Sequence, residues 1–466
     1  MSLIKSISGI RGTIGGFAGE NLTPQDIVEC TAAYGSWLLQ QKANPKVVIG
    51  RDARISGAIV NQLVCATLQS LGIDVVDLGL STTPTVEMAV PVEEAGGGII
   101  LTASHNPRQW NALKLLNHRG EFISAEDGRE LLEFIRAAKI EYVSVEQLGT
   151  YTQAEGYMQK HIDAIFALPL VKKDLVAERK FKVVVDAVNS TGAISIVPLL
   201  EQLGCEVILI NGDMSGHFAH NPEPLPENLT ELASAVLFHK ADLGVAVDPD
   251  VDRLALVCED GEMFGEEYTL VAVADYILQH KKGPTVSNLS SSRALRDVTQ
   301  KHQCDYHASA VGEVNVVNKM KAVEAVIGGE GNGGIIYPAL HYGRDALVGV
   351  ALILSQLVQY KKPLSFLRKS YPNYTISKNK IQLTPDINLE LLLELLKKKY
   401  QNEEINTTDG LKIDFETGWI HLRKSNTEPI IRIYTESTSE VIANNLADKI
   451  KADINVILRE IEKMPV

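Results

Sequence analysis

Thr102-Ala103-Ser104-His105-Asn106-Pro107 sets a small hydroxyl beside an imidazole, and Asn106-Pro107 turns the chain straight afterwards. The run before it, Gly96-Gly97-Gly98-Ile99-Ile100-Leu101, predicts a buried strand that delivers Ser104 at its carboxyl end, where open α/β sheets hold ligands. The alternative is a polar turn in which Ser104 merely caps the next segment. A second cluster, Asp248-Pro249-Asp250-Val251-Asp252-Arg253, closes the predicted strand Ala241 to Val247. Its outer carboxylates would lie roughly 13 Å apart on an extended chain, so one cation requires the loop to curl. All-oxygen ligation by Asp248, Asp250 and Asp252, with a phosphate still to add, suggests Mg²⁺ rather than Zn²⁺. Without a cation the three charges repel, and a proton must stay on one or more of them. An EF-hand is excluded, because Arg253 occupies the sixth position, where that turn needs glycine. A solvated acidic turn is the competing reading.

Two further clusters could hold the rest of a ligand. In Arg423-Lys424-Ser425-Asn426-Thr427-Glu428-Pro429-Ile430-Ile431-Arg432, the guanidiniums of Arg423 and Arg432 flank a turn of hydroxyls and an amide from Ser425, Asn426 and Thr427. That is enough donors to enclose a phosphate dianion, although a surface hairpin has the same ingredients. In Gly328-Gly329-Glu330-Gly331-Asn332-Gly333-Gly334, glycines allow close backbone approach, and Glu330 and Asn332 can face sugar hydroxyls together. A flexible loop is the plain alternative.

The elements that must position these residues follow one grammar. A helix from Thr23-Pro24, with Thr23 as N-cap, precedes the strand Lys46 to Gly50, the turn Arg51 to Gly57, a helix ending at Leu71-Gly72 and the strand Ile73 to Leu78. Strand, turn and helix return at Phe181 to Gly192, then a strand from Cys205 to Ile210. A looser copy runs from Pro284 to Tyr306. Strands alternating with helices predict parallel α/β sheets. The last piece differs: a helix from Asn388 to Tyr400, two short strands, and a helix from Ser439 predict a smaller α+β domain. Seams near Tyr142–Tyr151, Asp260-Gly261 and Pro372–Lys378 divide the chain into 1–148, 149–257, 258–373 and 374–466.

With 466 residues the chain is long enough for several cores. Its net charge of −13 argues against unspecific binding to nucleic acid or anionic membrane, so any positive charge for phosphate must be local. Four of the five cysteines sit in apolar patterns, which predicts buried free thiols in a reducing compartment. The N-terminus lacks the apolar core of a signal peptide, and Ala346 to Val358 is too short to span a bilayer; a cytoplasmic protein is expected.

The order of these motifs resembles the α-D-phosphohexomutase superfamily. The resemblance rests on Ser8-Gly9-Ile10-Arg11-Gly12, Gly50-Arg51-Asp52-Ala53-Arg54, the Ser104 and Asp248 motifs, Gly329-Glu330-Gly331-Asn332-Gly333 and Arg423 to Pro429, spread over nearly the whole chain. It implies three related α/β domains with mixed, mostly parallel sheets plus a C-terminal α+β domain, arranged around one cleft. It also implies a phosphoryl shuttle: Ser104, phosphorylated at rest, gives its phosphoryl group to a sugar monophosphate, and the resulting sugar 1,6-bisphosphate turns over and returns the other. By the same resemblance Mg²⁺ is held by Asp248, Asp250, Asp252 and the phosphoserine, with Arg253 on the same phosphate. Lys114, in Asn111-Ala112-Leu113-Lys114, matches the family's lysine near the serine as acid/base partner, supported by Arg11 and His105.

Two departures bear on the substrate. Relatives acting on glucose or mannose phosphates commonly carry serine and histidine where this chain has Asn332 and Gly334, and histidine at the place of Glu313. An acid there looks more like the phosphoglucosamine mutase branch and suits a substrate ammonium group. The expected reaction is glucosamine 6-phosphate to glucosamine 1-phosphate, by a monomer or homodimer. A phosphomannomutase or phosphoglucomutase, a Mg²⁺-dependent sugar phosphatase with an aspartate nucleophile, and a non-catalytic sugar-phosphate sensor are the alternatives.

Overall fold

The computed structural model describes residues 2–6, 9–137, 140–382, 389–424 and 430–461. The chain forms two compact units, the first from residues 1–280 and 332–368, the second from 281–331 and 369–466.

In the first unit, a seven-stranded sheet runs in the order Ile4–Ser6, Gly9–Thr13, Trp110–Leu116, Gly97–Leu101, Lys46–Arg51, Asp74–Leu80, Tyr151–Gln153. Its middle strands are parallel, while Trp110–Leu116 returns antiparallel to Gly97–Leu101, pairing Lys114 with Ile100. The strands are apolar on both faces because both are covered. Val47, Ile49, Ile99 and Leu101 pack with Tyr34, Trp37 and Leu68 of the helices Pro24–Gln40 and Gly57–Ser70. Val48 and Ile100 point the other way, onto Val86 and Val90 of the helix Thr83–Val92 and Tyr157. Thr23 forms a reciprocal capping box with Asp26, which fixes where the first helix begins.

A second sheet of this unit has the order Leu254–Cys258, Leu243–Val247, Lys182–Asp186, Glu206–Ile210, the last three parallel. Asp260-Gly261 is the hairpin turn that follows it, with Gly261 at φ 81°. The helix Ala346–Tyr360 is buried around nearly its whole circumference, which explains its continuous apolar run. Among the described residues, no helix is long and apolar enough to cross a membrane.

In the second unit, the parallel strands Tyr306–Ser309, Thr285–Asn288 and Ile327–Glu330 carry the helices Ala294–Lys301 and Glu313–Ala322. Beside them in sequence lies an antiparallel sheet in the order Thr375–Gln382, Ile430–Ser437, Gly418–Lys424, Leu411–Phe415, Glu404–Asn406. The helices Leu389–Lys399 and Glu440–Ile461 cover one face of it through Leu392, Leu396, Ile420, Ile433 and Ile454. The expectation of two short strands is therefore corrected to four after the helix Leu389–Lys399 and one before it. Thr375–Gln382 carries little apolar signal because it is an edge strand, held by its backbone ladder rather than by a buried apolar face. Asn388, where that helix was expected to start, lies outside the described residues. All five cysteines are free; Cys30, Cys65 and Cys258 are buried, Cys205 and Cys304 only partly.

Candidate active site

Ser104 stands just past the carboxyl end of Gly97–Leu101, buried, with φ 48°. A left-handed serine costs roughly 1–3 kcal/mol and persists only where its surroundings impose it. Here they do. The Ser104 N–H donates to Thr102 Oγ1 (2.9 Å), and that hydroxyl donates to Asp52 Oδ2 (2.6 Å). Arg54, 1% exposed, donates to the carbonyls of Ser104 (2.5 Å), Asn106 (2.6 Å), Pro107 (2.8 Å) and Trp110 (2.9 Å), and to Asp52 Oδ2 (3.0 Å). One guanidinium thus spends its donors on the turn that presents the serine.

The acidic loop meets it. Ser104 Oγ donates to Asp248 Oδ2 at 2.5 Å. The loop has curled as the cation reading required: Val251 takes φ 62°, and one ligand oxygen from each of Asp248, Asp250 and Asp252 lies within 4.8 Å of the others. All three carboxylates are fully buried. Asp248 Oδ1 accepts from the N–H groups of Asp252 and Arg253 (both 3.1 Å). Lys114 Nζ donates to Asp250 Oδ2 (2.7 Å) and Asp252 Oδ2 (3.3 Å), Arg344 Nη2 to Asp252 Oδ2 (2.7 Å), and Thr83 Oγ1 to Asp250 Oδ2 (2.5 Å). Asp250 Oδ1 and Asp252 Oδ1 are buried with no hydrogen-bond partner. Unsatisfied carboxylate oxygens in an all-oxygen set fit a hard divalent cation such as Mg²⁺.

The charges divide unequally. Burial, then the neighbouring Asp252 and Asp250, push the Asp248 carboxyl well above its usual range. Burial works the same way on Asp252, but Arg344, Lys114 and Arg253 more than offset it and hold that carboxyl below its usual range. Burial would lower the Lys114 ammonium; Asp250 and Asp252 outweigh it and raise it, so Lys114 rests as a proton donor. The His105 imidazole, with Nδ1 3.3 Å from Ser104 Oγ, is pushed down to about 2 by burial and by Arg253, and is neutral. Arg253 reaches Glu223 Oε1 (3.3 Å) and His105 Nε2 (3.5 Å), while its buried Nε has no hydrogen-bond partner. Arg11, exposed on Gly9–Thr13, is registered opposite Ala112 and so shares the sheet face of Lys114.

Ser104, His105, Lys114, Asp248, Asp250, Asp252 and Arg253 are therefore brought together within the first unit. Asn332 lies in the same unit, where its side-chain oxygen accepts from the Gly334 N–H (3.2 Å) and closes a turn. At the intervening Gly333, φ is 84° and a Cβ would stand 2.3 Å from the Leu254 carbonyl oxygen, so only glycine fits. In the second unit, the buried Glu330 accepts from Asn288 Nδ2 (2.9 Å) and the Gly312 N–H (3.1 Å), and Glu313 opens the helix Glu313–Ala322. Arg423 and Arg432 are direct cross-strand partners, and Lys380 pairs Arg432 on its other side. Three cations in one row repel unless an anion sits over them. Arg423 Nε stands 2.7 Å from Asp409 Oδ2 as an ion pair. Ser425, Asn426 and Thr427, like Ser8, lie outside the described residues.

Arg54, Thr83, Arg344 and Glu223 were given no role by the sequence reading. Arg54 lies in the motif Gly50 to Arg54; the other three act across long sequence separations that no local spacing reveals.

Residues 3–141 match the family model described as phosphoglucomutase/phosphomannomutase, alpha/beta/alpha domain I; residues 159–261 match domain II, 265–374 domain III and 386–452 the C-terminal domain. A phosphoglucomutase/phosphomannomutase from Thermococcus kodakarensis is 34% identical over 92% of this chain and 94% of its own. A probable phosphoglucosamine mutase from Methanopyrus kandleri is 33% identical over 98% of both chains. Among solved structures, a phosphoglucomutase/phosphomannomutase family protein from Burkholderia thailandensis superposes with TM-score 0.85, at 26% identity and 97% coverage of each chain. With four consecutive domains matched and a serine facing three buried carboxylates, this chain belongs to the phosphoglucomutase/phosphomannomutase family and is a phosphohexomutase, an intramolecular phosphotransferase of the α-D-phosphohexomutase superfamily.

Proposed function

We propose that the chain interconverts glucosamine 6-phosphate and glucosamine 1-phosphate through a phosphorylated Ser104 and a sugar 1,6-bisphosphate. The observation that carries the reading is Ser104 Oγ at 2.5 Å from Asp248, beside two carboxylate oxygens that accept nothing. Asp248, Asp250 and Asp252 would hold Mg²⁺, which when bound supplies charge neutralisation for the transferring phosphoryl group. Arg253, with a buried N–H to spare, binds that phosphoryl group. Lys114 gives or takes the proton of the sugar oxygen that exchanges with Ser104, and the neutral His105 and Arg11 orient the serine and its phosphate. In each half-reaction the phosphoryl group passes between Ser104 Oγ and a sugar oxygen, one P–O bond breaking as the other forms, so nothing is consumed.

Arg423, Ser425, Asn426, Thr427 and Arg432 take the non-reacting phosphate in this reading; Glu330 and Asn332 take sugar hydroxyls. Glu313 supports the amino sugar, since a carboxylate in the first turn of a helix complements an ammonium group. Several relatives carry the name phosphoglucosamine mutase, which supports the same choice. The four-domain division at 148, 257 and 373 is part of the proposal.

A turnover panel tests it, with glucosamine, glucose, mannose and N-acetylglucosamine phosphates and a bisphosphate activator. Glucosamine phosphate is expected to give the highest kcat/KM; a clear preference for mannose or glucose phosphate would refute the substrate assignment. Phosphopeptide mapping tests the mechanism. Label on Ser104 supports it, and label on Asp248 or Asp250 would establish an aspartate-based phosphatase instead.

A further inference from the structure

Away from the serine, the first unit buries a second group of ligating side chains. His161 is 1% exposed and Asp345 fully buried, and His161 Nε2 lies 2.9 Å from Asp345 Oδ2. His341 Nε2 approaches the same oxygen at 3.2 Å, with its ring nearly perpendicular to that of His161 (86°). One ligand atom from each residue lies within 4.8 Å of the others. Ligands on a tetrahedral ion at bond lengths near 2.0–2.1 Å stand about 3.3 Å apart, so a small shift of the imidazoles makes room for one.

The outer contacts carry the argument further. The remaining polar atoms of His161 and Asp345 are hydrogen-bonded, and that of His341 stands within ion-pair distance of a carboxylate. His161 Nδ1 meets Thr85 Oγ1 at 2.9 Å, His341 Nδ1 meets Glu87 Oε2 at 3.4 Å, and Asp345 Oδ1 accepts the N–H groups of Leu347 (2.8 Å) and Val348 (3.3 Å). A carboxylate behind one imidazole, a hydroxyl behind the other and amides behind the carboxylate are the outer contacts that orient metal ligands. Gly343 leaves the space: a Cβ there would stand 1.7 Å from Glu87 Oε2. The site also holds two carboxylates, Asp345 and Glu87, whose side chains are 0% and 1% exposed.

We propose that His161, His341 and Asp345 form a second cation site, with Glu87 and Thr85 orienting the imidazoles. Two nitrogens and one oxygen select a borderline transition ion, Zn²⁺ before Mg²⁺, with a fourth position left for water. The site joins two segments that also frame the acidic loop. Glu87 and Thr85 lie on Thr83–Val92, whose first residue donates to Asp250, and Asp345 follows Arg344, which donates to Asp252. Its role is thus to brace these elements rather than to touch substrate.

The test uses the full-length protein, stripped with chelator and returned to excess Mg²⁺ to fill the acidic loop. Titration with Zn²⁺, and with Co²⁺ as a spectroscopic probe, is expected to show one ion per chain, with the intense visible bands of four-coordinate cobalt. His341→Gln should weaken Zn²⁺ by more than about 100-fold, and Glu87→Gln by about 10- to 100-fold. Asp250→Asn should leave it within about twofold. No Zn²⁺ bound above the Mg²⁺ background, or equal affinity in wild type and Glu87→Gln, overturns the proposal. So does loss of the cobalt bands in Asp250→Asn, which would put the ion in the acidic loop. Glu87→Gln is nearly isosteric, so it decides the matter even if His341→Gln does not fold.

Discussion

Arg54→Lys separates presentation of the serine from its chemistry. The guanidinium makes five hydrogen bonds, four to carbonyls of residues 104–110 and one to Asp52. An ammonium keeps the charge but offers three donors, so at least two of the five acceptors lose theirs. At about 1.5–3 kcal/mol for each charge-assisted bond, the turn loses roughly 3–6 kcal/mol, an upper bound because neighbouring losses are not additive. Asp52, whose carboxyl burial already pushes up, keeps a cation but a poorly placed one. The left-handed Ser104 then relaxes, and a misplacement near 1 Å costs about 100-fold in rate. The variant should therefore lose kcat by one to two orders of magnitude with little change in KM. Amides of residues 102–112 should exchange faster while the remaining strands of that sheet stay protected. Arg54→Lys with kcat within threefold of wild type and unchanged exchange over 102–112 would refute the assignment of Arg54 as the brace of the nucleophile.

Two other consequences can be measured directly. His421 is 1% exposed, with Nε2 donating to the Asp409 carbonyl at 2.7 Å, and burial followed by Lys412 holds it down to about 4. Between pH 4 and its unfolded value near 6.5 the unfolded chain binds the extra proton, so stability of the second unit should fall as pH drops through that window, by on the order of 3 kcal/mol at the acid end. Hydrogen exchange of Gly418–Lys424 at pH 5 and pH 7 reads this, and His421→Gln should flatten the difference. The row Lys380, Arg432 and Arg423 predicts a KM for hexose phosphate that rises several-fold from low to high salt and a shallower rise in Arg432→Gln; a salt-independent KM in wild type counts against phosphate at that row.

How far the sequence could be read depended on whether a residue's partners were local. The clustering of Asp248, Asp250 and Asp252 was legible because three carboxylates on one loop announce themselves by spacing, and the place of Ser104 because a glycine-entered strand ended at it. The helix capped by Thr23 and the buried run from Ala346 were legible by the same local rules. Thr83 and Arg344 were not, since a threonine before an apolar helix and an arginine after a glycine have no chemistry until the fold sets them against Asp250 and Asp252. The C-terminal sheet was undercounted for a related reason. Its strands bury one face against two helices and leave the other rich in Lys380, Arg432, Tyr434 and His421, so polar residues interrupt the apolar ones along each strand.

One hydroxyl links nearly all of this within the first unit. Ser190, fully buried after the strand Lys182–Asp186, donates to the Pro249 carbonyl of the acidic loop (2.7 Å) and accepts from the Ala53 N–H (3.2 Å). Ala53 lies between Asp52 and Arg54, which hold the Ser104 turn, so Ser190 ties the acidic loop to the support of Ser104. In Ser190→Ala, Pro249 keeps the Thr191 hydroxyl (2.7 Å), but the Ala53 N–H is orphaned at a cost of about 1–3 kcal/mol. The carboxylates keep Lys114, Arg344 and Thr83, so Mg²⁺ affinity should change less than about twofold while kcat falls about 10- to 100-fold through the altered distance to Ser104. If Mg²⁺ affinity instead falls in step with kcat, Ser190 shapes the acidic loop itself and not its distance from the serine.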